Sequence, residues 1–223
     1  MMLMVFLGSF YLVDQPDILI PQHGRYDVQL RFGPVGEIIG YGSIDLWDRL
    51  SIGVSYGAAN LIGAGDPDFY TQPGVQARVL ALEPSAFMPA VAFGFDNQGY
   101  GGFNNERYYV MSKGLYCQVG EIFDYPGLTI VPSLGINYCF EDDGRLDMFG
   151  GVKFQLGSST QFLVDYSPNF NDELDQNKGY LNFGLRFVFY DQLFFEFSLR
   201  DLLDNGVDTQ LNRMIKIGYQ AQF

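Results

Sequence analysis

Histidine and cysteine are almost missing from this 223-residue chain, which has one of the first and two of the second. Two cysteines are too few for a disulfide scaffold, and one histidine beside them does not make the N/S ligand set of a zinc site. Basic residues are also scarce, with 13 Lys and Arg against 26 Asp and Glu and a formal net charge of -13. Nucleic acid needs clustered cations to meet its phosphates, so no such partner is expected. No uncharged apolar stretch reaches the roughly 18 residues that a membrane-spanning helix needs. A membrane-crossing version of this chain must therefore be a barrel, the other architecture that satisfies every backbone group in lipid.

Aromatic residues at 17% and 27 glycines exclude a disordered chain, whose signature is few aromatics and low hydrophobicity. No linker or internal repeat divides the sequence, and its length suits one all-β domain. The opening MMLMVFLGSFYLV is apolar but carries neither a basic start nor a small-residue cleavage site. It fits a truncated signal peptide, the start of a mature chain, or a segment tucked into a barrel. We divide the chain into this N-terminal segment, 1–23, and a β-barrel, 24–223.

Period-2 alternation runs through the barrel region and marks strands with one apolar and one polar face. Tyr26, Val28, Leu30 and Phe32 alternate with Arg25, Asp27, Gln29 and Arg31. Leu181, Phe183, Leu185, Phe187 and Phe189 oppose Asn182, Gly184 and Arg186; Leu193, Phe195, Phe197 and Leu199 oppose Glu196, Ser198 and Arg200. Ile215, Ile217, Tyr219, Ala221 and Phe223 close the chain against Lys216, Gly218, Gln220 and Gln222. Alternation alone also suits a soluble β-sandwich with its apolar faces packed together.

Loop lengths separate the two. Strands are expected at 25–33, 36–46, 49–57, 73–82, 87–96, 106–119, 127–140, 144–156, 160–168, 178–190, 192–203 and 210–223. Twelve is an even number, as bacterial single-chain barrels require. Tight turns fall at Trp47-Asp48-Arg49, Glu83-Pro84-Ser85, Gly157-Ser158-Ser159 and Tyr190-Asp191-Gln192, while the long connections from Ala58, Asn97 and Pro168 all fall at the other end. A sandwich has no reason to sort its loops so. The expected fold is a transmembrane up-and-down antiparallel β-barrel of about 12 strands, in an outer membrane with both termini periplasmic.

The inner face then carries Arg25, Asp27, Arg31, Arg78, Lys113, Arg145, Asp147, Lys153, Asp165, Arg186, Glu196, Arg200 and Lys216. Twelve strands lie between the filled eight-stranded barrels and the open 16- to 18-stranded porins, so a narrow or plugged lumen follows. This set is a charge network that fills the interior, or a selective path or docking cavity for an acidic glycan. A hydrolytic centre would have to be built on His23, the single histidine, and no partner residues point to one. The loop carboxylates Asp66, Asp68, Glu141, Asp142, Asp143, Asp172 and Glu173 lack the spacing of an EF-hand, so no metal and no cofactor are expected. Gly99 to Gly102 read as turn residues, because no helix follows them to form a phosphate loop.

Two resemblances add to this reading. The ending Lys216-Ile-Gly218-Tyr219-Gln-Ala221-Gln-Phe223 resembles the C-terminal signal of outer-membrane barrels, which implies the barrel-assembly machinery as a partner. Ala221 is small where that signal usually has a larger apolar residue. The segment Met88 to Lys113, MPAVAFGFDNQGYGGFNNERYYVMSK, resembles YjbH-type exopolysaccharide-biogenesis barrels at Pro89, Gly94, Asp96, Gly99, Gly102, Tyr108 or Tyr109, Ser112 and Lys113. The opening from Val13 to Tyr26 is similar to that family's beginning. The resemblance implies a non-enzymatic outer-membrane barrel that supports production or export of a surface polysaccharide, with outer-membrane lipid, polysaccharide or envelope proteins as partners. A small channel or scaffold unrelated to glycans is the alternative; an outer-membrane hydrolase and a soluble adhesin rank behind it.

Three consequences are specific. With a turn near Phe123 and Asp124, Cys117 sits opposite about residue 130, which leaves it about 30 Å from Cys139 and both thiols free. An Arg at Phe187, on the lipid face, should harm folding more than one at Val188. Keeping the apolar faces in phase across Tyr190-Asp191-Gln192 requires facing residues with an even sum, and the tightest such connection centres on Asp191 and sets Phe189 opposite Leu193, Phe187 opposite Phe195 and Arg186 opposite Glu196.

Overall fold

The computed structural model describes residues 9–18, 20–63, 65–85, 87–104, 106–141, 145–170, 178–204 and 212–223. Twelve antiparallel strands form the wall: β1 (Arg25–Phe32), β2 (Ile38–Leu46), β3 (Leu50–Ala59), β4 (Gly74–Leu82), β5 (Ala90–Asp96), β6 (Gly114–Gly120), β7 (Leu128–Tyr138), β8 (Leu146–Leu156), β9 (Thr160–Ser167), β10 (Tyr180–Phe189), β11 (Leu193–Arg200) and β12 (Asn212–Gln222). Each pairs with the next in sequence, and β12 pairs with β1 from Gln222 opposite Arg25 to Ile215 opposite Phe32. That last pairing closes the barrel and removes both sheet edges.

The pleat sends alternate residues to opposite faces. Val28 and Leu30 are exposed outside β1 while Asp27, Gln29 and Arg31 are buried within; on β12, Ile215, Ile217 and Tyr219 face out while Met214, Lys216 and Gln220 face in. The apolar skin also includes Val54, Phe93, Leu134, Ile136, Phe187 and Phe195. A sandwich would bury that skin between two sheets; here it is outermost and the charges are inside, the arrangement lipid solvates.

Tight connections gather at one end. They include 47–49, 157–159 and 190–192, with Gly24 and Phe223 beside them, and Phe223 N–H donates to the Gly24 carbonyl at 3.2 Å. The connections 33–37, 60–73, 97–113, 139–145, 168–179 and 201–211 all leave the opposite end.

The expected strand 106–119 is instead two elements. Arg107–Val110 pairs with Tyr100–Asn104 in a separate hairpin, and the wall resumes only at Gly114. Gly114 has φ +63 and a Cβ there would lie 2.1 Å from the Tyr138 carbonyl oxygen, so only glycine lets the chain rejoin the wall at this point. Burial runs unbroken from Met111 to Gly114, so the period-2 pattern stops at the break. Gly101 and Gly102, expected in a turn, belong to Tyr100–Asn104, where the pairing slips. Two further differences have local causes. β5 begins at Ala90 rather than 87, since Pro89 has no N–H for the ladder. The β6–β7 hairpin turns at Pro126-Gly127, because Phe123–Tyr125 continues the register of β6 against β7. Cys117 therefore faces Ile136, not residue 130. Both cysteines are free, for a different reason from the one expected: Cys117 lies on the outward parity of β6 with Leu115 and Val119, while Cys139 is buried inside.

Candidate functional site: the filled lumen

The interior is occupied by the chain's own N-terminal segment. Residues 9–18 form a hairpin in which Tyr11 bridges Pro16, Leu12 N–H donates to the Gln15 carbonyl at 2.9 Å, and Asp17 N–H donates to the Phe10 carbonyl at 3.0 Å. Phe10, Tyr11, Leu12, Val13, Asp14, Gln15, Asp17 and Ile18 are all buried. The described part of the N-terminal segment thus lies inside the barrel. Residues 1–8 lie outside the described residues.

Apolar anchors seat the hairpin. Leu12 and Val13 pack with Leu163 and Met214, and Ile18 packs with Leu80, Ala90, Ala92 and Val131. Polar groups of the wall then meet its backbone. One carboxylate oxygen, Asp165 Oδ2, accepts from the N–H groups of Val13, Asp14 and Gln15 at 2.9, 2.8 and 3.1 Å. Arg186 Nη2 donates to the Tyr11 and Leu12 carbonyls at 3.2 Å each, and Lys216 Nζ donates to those of Leu12 and Val13 at 3.2 and 2.5 Å. Arg78 donates to the Asp17 carbonyl and Gln118 Nε2 to that of Pro16, the latter at 2.7 Å.

The hairpin also brings charge. Asp14 Oδ1 lies 2.9 Å from Arg31 Nη1, and Asp14 Oδ2 lies 2.6 Å from Arg200 Nε. Asp17 pairs with Lys153. Ion pairs within the wall join Arg186 to Glu196 at 2.6 Å, Lys216 to Glu196 at 3.3 Å, and Arg25 to Asp45. Buried charge is costly unless paired, so the hairpin neutralises cations that β1, β8 and β11 place in the lumen.

The remaining residues of the expected inner set are distributed as follows. Asp27 is buried and accepts from Gln29. Asp147 accepts from Ser167 Oγ at 2.9 Å and from Phe170 N–H at 3.0 Å, and so holds the start of the connection after β9. Lys113 is buried 3.4 Å from Ser167 Oγ. Arg145 differs from expectation: it precedes β8, outside the ladder, and is exposed rather than in the lumen. His23 is exposed at the turn end, where its Nδ1 accepts from Trp47 N–H at 3.1 Å. Asp66 and Asp68 are exposed, while Asp142, Asp143, Asp172 and Glu173 lie outside the described residues. Among the described residues no group of three or more His, Cys, Asp or Glu is placed to hold a metal.

Asp14 and Asp17, the hairpin's ionic contacts, were absent from the expected set. Their signal was present: two aspartates three apart interrupt an apolar segment that precedes a barrel with basic inward residues. The roles of Asp45 and Glu37 were also missed. At the long-loop end the Tyr100–Val110 hairpin covers the mouth. Its Tyr100 ring lies 3.6 Å from the Arg31 guanidinium carbon and 5.2 Å from that of Arg200. Glu37 Oε1 accepts from Gly101 N–H at 2.9 Å and from Tyr70 OH, and Glu141 accepts from the N–H groups of Tyr108 and Ser112 at 2.8 and 3.0 Å. A small crevice by Tyr11, Gln29 and Tyr41 has room for about one water molecule.

No family model matches the sequence, and no curated protein matches it. Among solved structures the fold is similar to that of a KdgM porin, with a TM-score of 0.54 and 7% identity over 89% of this chain and 99% of that one. A KdgM porin in complex with disordered oligogalacturonate gives a TM-score of 0.50 and 8% identity over the same shares of the two chains. At such identities the likeness is one of fold.

Proposed function

We propose that this chain is a non-enzymatic outer-membrane barrel that passes or docks an acidic surface polysaccharide, with both termini periplasmic. One observation carries the reading: the ion pairs of Arg31, Arg200 and Lys153 go to the hairpin, not to the wall. Cations so placed suit the carboxylates of a glycan moving along the lumen. A barrel of similar fold in complex with an oligogalacturonate supports the acidic sugar. The resemblance to YjbH-type barrels supports a role in production or export of an exopolysaccharide. Outer-membrane lipid would solvate the apolar exterior, and the barrel-assembly machinery would read the strand ending in Phe223.

Planar-bilayer recordings test this. Polygalacturonate fragments should reduce the ionic current at concentrations where neutral maltodextrins of equal length do not, and equal block by both would overturn the acidic-glycan reading. A closed scaffold is the second reading, favoured by the filled lumen, and it expects neither current nor polygalacturonate binding.

A further inference from the structure

The hairpin adds no strand to the barrel. Each wall strand is paired on both sides without it, and its own backbone–backbone hydrogen bonds, Leu12 to Gln15 and Asp17 to Phe10, run within it. Withdrawing residues 9–18 therefore breaks no ladder bond and leaves the wall closed. What the hairpin takes from the wall are side-chain groups: the donors of Arg186, Lys216 and Gln118, all aimed at carbonyl oxygens, and one acceptor, the Asp165 carboxylate. A sugar's hydroxyl and carboxylate oxygens present acceptors of the same kind.

At the centre of these contacts one carboxylate spans two guanidinium groups. Asp14 offers one oxygen to Arg31 and the other to Arg200, and Asn182 Nδ2 lies 3.3 Å from the latter oxygen. The Arg200 bond is charge-assisted and so of the strong kind, while Arg31 meets the other oxygen as an ion contact. The hairpin does not exhaust the wall's capacity. Nε and Nη2 of both Arg31 and Arg78 are buried and find no protein acceptor.

We infer that residues 9–18 are a releasable plug, and that Arg31, Arg200 and Asn182 form a carboxylate site which Asp14 fills until an acidic sugar displaces it. The inference rests on the acidic-glycan reading above and adds the site and its regulation. Leu12, Val13 and Ile18 hold the plug in place without ligand; displacement exchanges one set of carboxylates for another on Arg31 and Arg200, while Asp165 gives up three hairpin N–H donors, keeps Asn182 and needs the sugar's hydroxyl donors in their place.

A cross-link tests the release. A Cβ built on Gly184 lies 3.0 Å from Val13 Cγ2, which puts thiols in Val13→Cys and Gly184→Cys within bridging distance. The pair is made with Cys117→Ala and Cys139→Ala, and polygalacturonate binding and bilayer current are measured in oxidised and reduced forms. Oxidation should weaken binding by roughly tenfold or more and suppress the current, because a tethered plug cannot shift its population to the open state. Equal binding and equal current in the two forms would overturn the plug. If oxidation changes the current while neither form binds polygalacturonate, release stands and the acidic-glycan reading falls. Asp14→Asn needs no cross-link. It weakens the internal competitor and leaves Arg31 and Arg200 in place, so polygalacturonate affinity should rise several-fold; an unchanged or lower affinity would overturn the stand-in role of Asp14.

Discussion

Arg186 and Glu196 face each other across the β10–β11 turn, with Arg186 Nη2 2.6 Å and Nε 2.8 Å from the same oxygen, Glu196 Oε2. The second Glu196 oxygen lies 3.3 Å from Lys216 Nζ and accepts from Ser198 Oγ at 2.7 Å. The pair is thus asymmetric. Losing Arg186 leaves Glu196 with Lys216, whereas losing Glu196 leaves two buried cations facing each other. Glu196→Ala should therefore cost about 3–5 kcal/mol, the cost of stranding buried charge, and Arg186→Ala less. A double-mutant cycle by urea unfolding in detergent or lipid checks this, and a coupling energy near zero would contradict the pairing.

That register is legible in the sequence. Apolar residues are odd-numbered on both sides of Asp191, so only an even sum keeps both faces in phase, and the wall takes the tightest such register, pairing Phe189 with Leu193 and Phe187 with Phe195. Tyr190 and Asp191 take positive φ to make the three-residue turn. The strand count and the sorting of loops were legible for the same reason, since period 2 and turn residues are local signals. What was hidden is what depends on distant contacts. The split of 106–119 turns on the approach of Gly114 to Tyr138, and the fate of the N-terminal segment turns on wall groups such as Asp165 and Arg200 that are remote in sequence. Alternation cannot report either.

The outer face should show a depth dependence. Leu185 lies near the middle of β10 and Phe189 at its end, both on the outward parity. Leu185→Arg should cost about 2–4 kcal/mol on folding into bilayers and Phe189→Arg about 0–1 kcal/mol. Val188 is a poor inner reference for this comparison, because it is buried against Phe194 and an Arg there would overpack the lumen. Equal costs at 185 and 189, measured by reversible unfolding in vesicles, would contradict the bilayer orientation of the wall.

The cap over the mouth should respond to pH through Glu141, which lies in the connection after β7. Burial pushes its carboxyl above the ordinary range, although its bonds to Ser112 and Tyr108 pull the other way. A folded-state value above the unfolded one means that folding favours the protonated form. This contribution to stability is fully present below the unfolded pKa and is lost as pH rises through the folded one. Hydrogen exchange at Tyr108 and Ser112 should accordingly speed up with rising pH beyond its intrinsic dependence. Glu141→Gln should flatten that excess, and an unaltered profile would show that Glu141 does not govern the cap.

Gly218 belongs to the C-terminal motif that resembles an assembly signal, and its place in the wall offers a separate reason for glycine. It points inward on β12, where an added Cβ would lie 2.3 Å from the Phe194 ring. Phe194 is itself fixed, buried against Val188 and stacked 4.9 Å from the Arg186 guanidinium carbon. Gly218→Ala must therefore displace the ring and should cost about 1–3 kcal/mol by overpacking. Phe194→Leu makes room, so the double variant Gly218→Ala, Phe194→Leu should be more stable than Gly218→Ala with the ring intact. The two origins of the glycine then separate by experiment. Packing predicts that the second substitution restores both stability in vitro and insertion in cells. Recognition by the assembly machinery predicts restored stability in vitro with insertion still impaired.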